Sequence, residues 1–166
     1  MAVANTKSTF ITNADADPKV LTSDYISKGT LYEAVGTVEV AAADDDGSVY
    51  RMVRVPSNAR ITSILTGCDA ITLGTSYHLG VYQTAANGGA VVDADVFASA
   101  VDLSSALVFT EHMLEATATD IDKVEKRLWE LLALAADSMR DYDICWTSVT
   151  NGTAAGTIAT KVKYVI

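Results

Sequence analysis

The chain has 166 residues, 49% of them hydrophobic and 20% charged, with ten glycines, two prolines, two cysteines and two histidines. That composition suits one folded domain burying roughly 70% of its unfolded surface, and excludes a disordered or collagenous chain. The net charge of −9, with no segregated basic patch, argues against nucleic-acid binding, and no apolar run approaches the roughly 18 residues a membrane span requires.

Residues 1–29 differ from the rest. Small polar residues are scattered through them, Asp15 and Asp17 alternate ahead of Pro18, and the apolar residues come in separated pairs without a sustained period. Such a stretch cannot bury a core of its own, but it can lie across another surface. We read it as an extended N-terminal arm, with Phe10, Ile11, Val20, Leu21, Tyr25 and Ile26 as the candidate partner-binding side chains. Met1–Phe10 lacks a basic segment followed by an apolar one, so no signal peptide is expected.

Residues 30–166 form the expected β-sandwich domain. Strand signals follow one another from Leu31. The segment 31–43 carries Val35, Val38 and Val40 and ends in Asp44-Asp45-Asp46-Gly47, a turn of self-capping aspartates closed by glycine. In 48–55, Val49, Val53 and Val55 are expected on one face, with Tyr50, Met52 and Arg54 on the other. Pro56-Ser57-Asn58 stops that strand. Residues 60–67 are β-branched, and 77–83 alternate Tyr77, Leu79 and Val81 against His78, Gly80 and Tyr82 before the Asn87-Gly88-Gly89 turn. Turn signals every 8–12 residues or so predict a mainly antiparallel all-β sandwich or barrel.

Two interruptions read as helical. Residues 93–100 are a short alanine-rich turn, and 119–136 predict one helix of about 15 residues. Thr119 would cap it, Asp120 and Asp122 would suit its positive end, and Ile121, Val124, Leu128, Leu131, Leu132 and Ala135 fall on one stripe. At the C-terminus, Tyr142, Ile144 and Trp146 alternate with polar residues. After a glycine-rich turn, Ile158, Thr160, Val162 and Tyr164 do the same. These two strands are expected to pair with each other, one face on the core.

The search for chemistry returns little. His78 and His112 are 34 residues apart with no Cys-x-x-Cys or His-Glu-x-x-His, so His112, beside Glu111, reads as an ordinary surface histidine and no metal is expected. Asn13, Asp15 and Asp17 alternate in the manner of calcium ligands, but Pro18 stands where such a loop needs glycine. No nucleophile elbow or phosphate loop occurs. Cys68 and Cys145 read as reduced, buried thiols of a protein made in a reducing cytosol. No catalytic residue, cofactor site or small-molecule substrate is assigned, and an enzyme is not expected.

The block Tyr50-Arg51-Met52-Val53-Arg54-Val55-Pro56-Ser57-Asn58-Ala59-Arg60-Ile61 resembles the hydrophobic-Arg-Val-Pro-x-x-Ala-Arg-Ile block of small structural proteins of tailed bacteriophages. The order of later motifs is similar too: Tyr77–Tyr82, Val92–Phe97, Lys126–Leu132, Tyr142–Ile144 and Gly152–Ile158. The resemblance spans residues 30–166 through several loose motifs. It implies the head decoration, or capsid cement, proteins: a jelly-roll-like β-sandwich, often a homotrimer. Such a protein bridges major capsid protein subunits on the exterior of a virion assembled in the bacterial host cytoplasm. The alternatives are a head–tail or tail component, and a glycan-binding β-sandwich displaying the loops 67–76 or 85–90.

Overall fold

In the computed structural model, which describes residues 6–114 and 121–166, eight strands form two four-stranded sheets. They are β1 (Leu31–Val40), β2 (Val49–Pro56), β3 (Arg60–Cys68), β4 (Ser76–Gln83), β5 (Val91–Val101), β6 (Leu107–Glu111), β7 (Asp141–Thr150) and β8 (Gly156–Val165). One sheet runs β1-β8-β3-β6 and the other β2-β7-β4-β5, with every paired neighbour antiparallel. The chain changes sheet at each connection except β4 to β5, which is the connectivity of a jelly roll. Three short helices, α1 (Thr9–Asp15), α2 (Asp24–Ser27) and α3 (Leu128–Leu131), complete the described elements of regular length.

The inner faces meet in one apolar core. Val55, Ile61, Ile64, Leu79, Val81, Phe97, Ile144, Trp146, Ile158 and Val162 are all within 1% of complete burial or fully buried. Alternation along each strand supplies this core, as expected of residues i and i+2 on a pleated chain. At β2 the alternation breaks. A bulge between Arg51 and Val53 puts Tyr50, Met52, Val53 and Val55 all inside, while Val49, Arg51 and Arg54 face solvent. The two faces expected from simple parity are therefore exchanged partway along the strand.

The two C-terminal strands correct the expected pairing. β7 and β8 are both present and amphipathic, but they lie in opposite sheets, each flanked by two neighbours. Their apolar faces look at each other across the core instead of sharing a ladder. Trp146 Nε1 donates to Thr160 Oγ1 across that gap, at 3.1 Å. The pattern of one wet face is identical in the two arrangements, so periodicity alone does not distinguish them.

Both helical readings are also corrected. Residues 93–100 lie within β5, whose register against β4 slips between Asp93 and Ala98. Alanine's weak helical preference yields there to pairing with a central strand and to burial of Val96 and Phe97. The expected long helix is a 3-10 turn at Ile121–Lys123 and four residues of α3, while its expected cap, Thr119, falls outside the described residues. Two backbone bonds fix this segment to the β2–β3 turn, Leu128 N to Ala59 O at 2.8 Å and Trp129 N to Ser57 O at 3.0 Å. They hold Arg127 extended, and Ala133 turns to φ 52° just beyond, so the apolar stripe is spent on local plugging of the sandwich end.

The loops gather at two ends. At one, Asn151 joins the β1–β2 and β7–β8 loops, its N–H donating to Asp46 Oδ1 at 2.7 Å and its Nδ2 to Asp44 O at 2.5 Å. Ile71 N to Leu103 O and Thr153 N to Thr72 O bind the remaining two loops to them. The other end holds the β2–β3 turn, the α3 segment, the C-terminus and the root of the N-terminal segment.

Candidate interaction surface

The N-terminal segment is not extended throughout. Ser8 caps α1, accepting from Ile11 N at 3.3 Å, and Thr12 Oγ1 donates back to Ser8 O. The helix has seven residues and buries none of them. Residues 18–23, between the helices, are non-helical. Of the side chains singled out from sequence, Phe10, Ile11, Val20 and Leu21 are 42–92% exposed, Leu21 the most. Tyr25 and Ile26 are half-buried.

Those two belong to the root that joins the segment to the sandwich. Arg60 Nε donates to Tyr25 O at 2.8 Å, and the Arg127 guanidinium lies 4.6 Å from the centre of the Tyr25 ring. Gly29 presses so closely on the last strand that a Cβ would fall 2.1 Å from Val165 Cγ1. A larger residue would have to displace the Val165 side chain and would press on Asp24 O and Ile166 O, each 3.1 Å from that Cβ.

A second apolar surface, which the sequence reading does not identify, runs along β6. This strand pairs with β3 on one side and, among the described residues, has an open edge on the other. Val108 is 87% exposed and Phe109 is 43% exposed, with Lys161 Nζ 4.2 Å from the Phe109 ring centre. Beside them a shallow depression of about 350 Å³ is lined by Gly67, Cys68, Leu107, Phe109, Thr157 and Ala159, among others. The available signal was the uncharged run Leu107-Val108-Phe109-Thr110, rich in strand-forming residue types.

Several titratable groups are engaged in holding the fold. Asp143, nearly buried, accepts from Arg54 Nε at 2.7 Å and from Arg51 Nη1 at 2.9 Å. Burial pushes its pKa up, but the two guanidinium groups outweigh burial and hold it below the ordinary carboxylate value. Asp44 Oδ2 takes the Ala41 N–H and the Tyr50 hydroxyl. His112, expected at the surface, is 2% exposed and meets the Trp146 ring edge-on at 5.6 Å. His78 Nδ1 accepts from Ala100 N at 3.1 Å. Cys68 and Cys145 are free and buried. Burial pushes the Cys145 thiol up to about 12 and raises that of Cys68 as well. Among the described residues no group of three or more His, Cys, Asp or Glu could hold a metal ion, and no helix is long and apolar enough to cross a membrane.

No protein-family model and no curated protein matches the chain. Among solved structures, a chain of the cyanophage Pam1 capsid asymmetric unit is similar in fold, with a TM-score of 0.50 and 14% sequence identity. The match covers 100% of this chain and 99% of that one. At that identity the likeness establishes a shared fold, from the N-terminal segment to the last strand.

Proposed function

We propose that this chain is a structural protein of a tailed-phage virion, a decoration or cement protein that stabilises the capsid exterior by bridging major capsid protein subunits. The observation that carries the reading is the end-to-end likeness in fold to a chain of a phage capsid asymmetric unit. The distribution of exposed apolar side chains supports it. They include Phe10, Ile11, Val20 and Leu21 on the N-terminal segment and Val108 and Phe109 on a strand edge, whereas Asp44, Asp143 and His78 are committed to turns, ladders and ion pairs.

A protein of this kind performs no reaction and needs no cofactor. It binds by buried area, with about 1,600 Å² enough for a specific contact, and by repetition around a symmetry axis, which raises the effective concentration of each arm. Residues 1–29 act as the clasp, through Phe10, Ile11, Val20 and Leu21, and the copies form a homotrimer. Tyr25 and Ile26 serve that clasp from its root.

Co-sedimentation of the purified chain with empty capsids of its own phage tests the role. Saturable binding at a fixed number of copies per capsid is expected, with a rise in the temperature at which the shells open. Deleting residues 2–22, which spares the Tyr25 root, should cut occupancy at least tenfold. A chain that stays in the supernatant at tens of micromolar excludes the role.

A further inference from the structure

Among the described residues the four edge strands differ in what they offer to pairing. β1 and β2 lie against each other where Gly36 meets Met52 and carry Glu33 and Glu39 or Arg51 and Arg54, although Leu31 and Val35 of β1 are 60% and 56% exposed. β5 breaks register and carries Asp93 and Asp95. Charges and bulges of this kind are how sheets blunt their edges. β6 has a bulge, but from Leu107 to Thr110 it has no charge. Val108 projects at 87% exposure, and the depression floored by Gly67 and Ala159 adjoins it. An open, uncharged edge beside an apolar notch accepts an extended segment with one apolar anchor.

The chain carries such a segment. Pro18-Lys19-Val20-Leu21-Thr22-Ser23 is non-helical, and Leu21 is 92% exposed. Extended, it puts Lys19 and Leu21 on one face. On β6, Phe109 and Glu111 are likewise two residues apart. An antiparallel pairing that seats Leu21 beside Phe109 therefore brings Lys19 beside Glu111, whose carboxylate also accepts from Ser63 Oγ, Ile64 N and Met113 N. The strand's own copy is poorly placed to donate. Leu21 lies four residues from Tyr25, at most about 14 Å, and Tyr25 is bonded to Arg60 at the start of β3. Gly67, next to Phe109, is seven residues further along β3, about 23 Å. With the root docked, the edge that Leu21 serves is a neighbour's.

We propose that residues 18–23 of one copy add as an antiparallel strand to the β6 edge of a second copy, with Leu21 in the Gly67–Phe109 notch and Lys19 against Glu111. Because donor and acceptor are different surfaces, the contact is head-to-tail, the kind that makes a ring where its rotation closes. The proposal deepens the clasp reading of the N-terminal segment and rests on it, but it does not require a capsid.

Light scattering on the full-length chain at tens of micromolar, without capsids, tests it. A closed oligomer is expected, falling to the mass of a single 17.5 kDa chain in Val108→Lys and in Leu21→Asp. Both side chains are solvent-exposed, so an unchanged far-ultraviolet circular dichroism spectrum of the variants serves as the folding control, while loss of assembly itself lowers the melting temperature. In the Thr22→Cys/Val108→Cys double variant, whose two positions lie opposite each other in this register, mild oxidation should give crosslinks between chains on a non-reducing gel, and Lys19→Glu should weaken assembly while Lys19→Arg restores it. A monomeric wild-type chain, an oligomer that both exposed-site variants leave intact, or crosslinks confined within one chain overturns the proposal. Failure of capsid co-sedimentation with these results in place sinks the decoration role and leaves arm exchange standing.

Discussion

Trp146 and Thr160 join the two sheets: the buried indole N–H of one central strand donates to the hydroxyl of the other at 3.1 Å, and Thr66 Oγ1 lies 3.3 Å from the same hydroxyl. Thr160→Val keeps the shape and removes the acceptor, leaving the indole N–H buried without this partner. The expected loss is about 1–3 kcal/mol in urea unfolding with an unchanged m-value. In a Trp146→Phe background the same substitution should cost clearly less. Strict additivity of the two changes in a double-mutant cycle would show that the contact carries no stability.

Gly36 sets how closely β1 crosses β2. A Cβ there would sit 2.0 Å from Met52 O and 2.6 Å from Met52 C, against backbone that cannot turn aside. Gly36→Ala should therefore force the sheets apart at this corner and cost on the order of 1–3 kcal/mol or more. Thermal unfolding should fall by about 2–4 °C for each kcal/mol lost. Gly47→Ala is the contrast, since a Cβ there meets nothing within 4 Å and the cost is confined to its φ of 85°.

The strands and the sandwich were legible because alternation survives in any β arrangement that has one wet face. Their partners were not. Tyr142–Trp146 and Ile158–Tyr164 carry the same pattern whether they share a ladder or face each other, and only the closure of eight strands decides. The stripe at 121–135 shows the limit of a 3.6-residue period, because Ala59 O and Ser57 O capture the segment before a helix can propagate. At the surface, Leu21 and Phe10 stood out as apolar residues without a period. Phe109 did not, because an edge position is a property of sheet order that no local pattern encodes.

The two cysteines should differ in accessibility but share low reactivity. Cys145 is fully buried beneath a pKa of about 12, and Cys68 is 8% exposed with a raised pKa. Since the thiolate is the reactive form, a disulfide reagent at pH 8 should modify neither in the native chain within minutes. Both should react in denaturant. On prolonged incubation Cys68 should be modified first, while Cys145 follows at the rate of global unfolding. Prompt native labelling of Cys145 would contradict its burial between β4 and β2.

Asp143 should govern part of the acid sensitivity of the fold. Its pKa is lower in the folded chain than the ordinary value of 3.8, because the guanidinium groups of Arg54 and Arg51 outweigh its burial. A carboxylate depressed in this way binds protons more readily in the unfolded state, so its stabilisation is present above pH 4 or so. It is lost as pH falls through the ordinary carboxylate range toward the depressed folded value. Asp143→Asn should be less stable than wild type at pH 7, by about 1–3 kcal/mol, since charge-assisted bonds from both arginines are weakened. Below pH 4 the gap between the two proteins should narrow, because protonation removes from wild type what the substitution has already removed. Urea midpoints measured from pH 7 to pH 3 check this, and parallel curves for the two proteins would mean that Asp143 carries no depressed pKa.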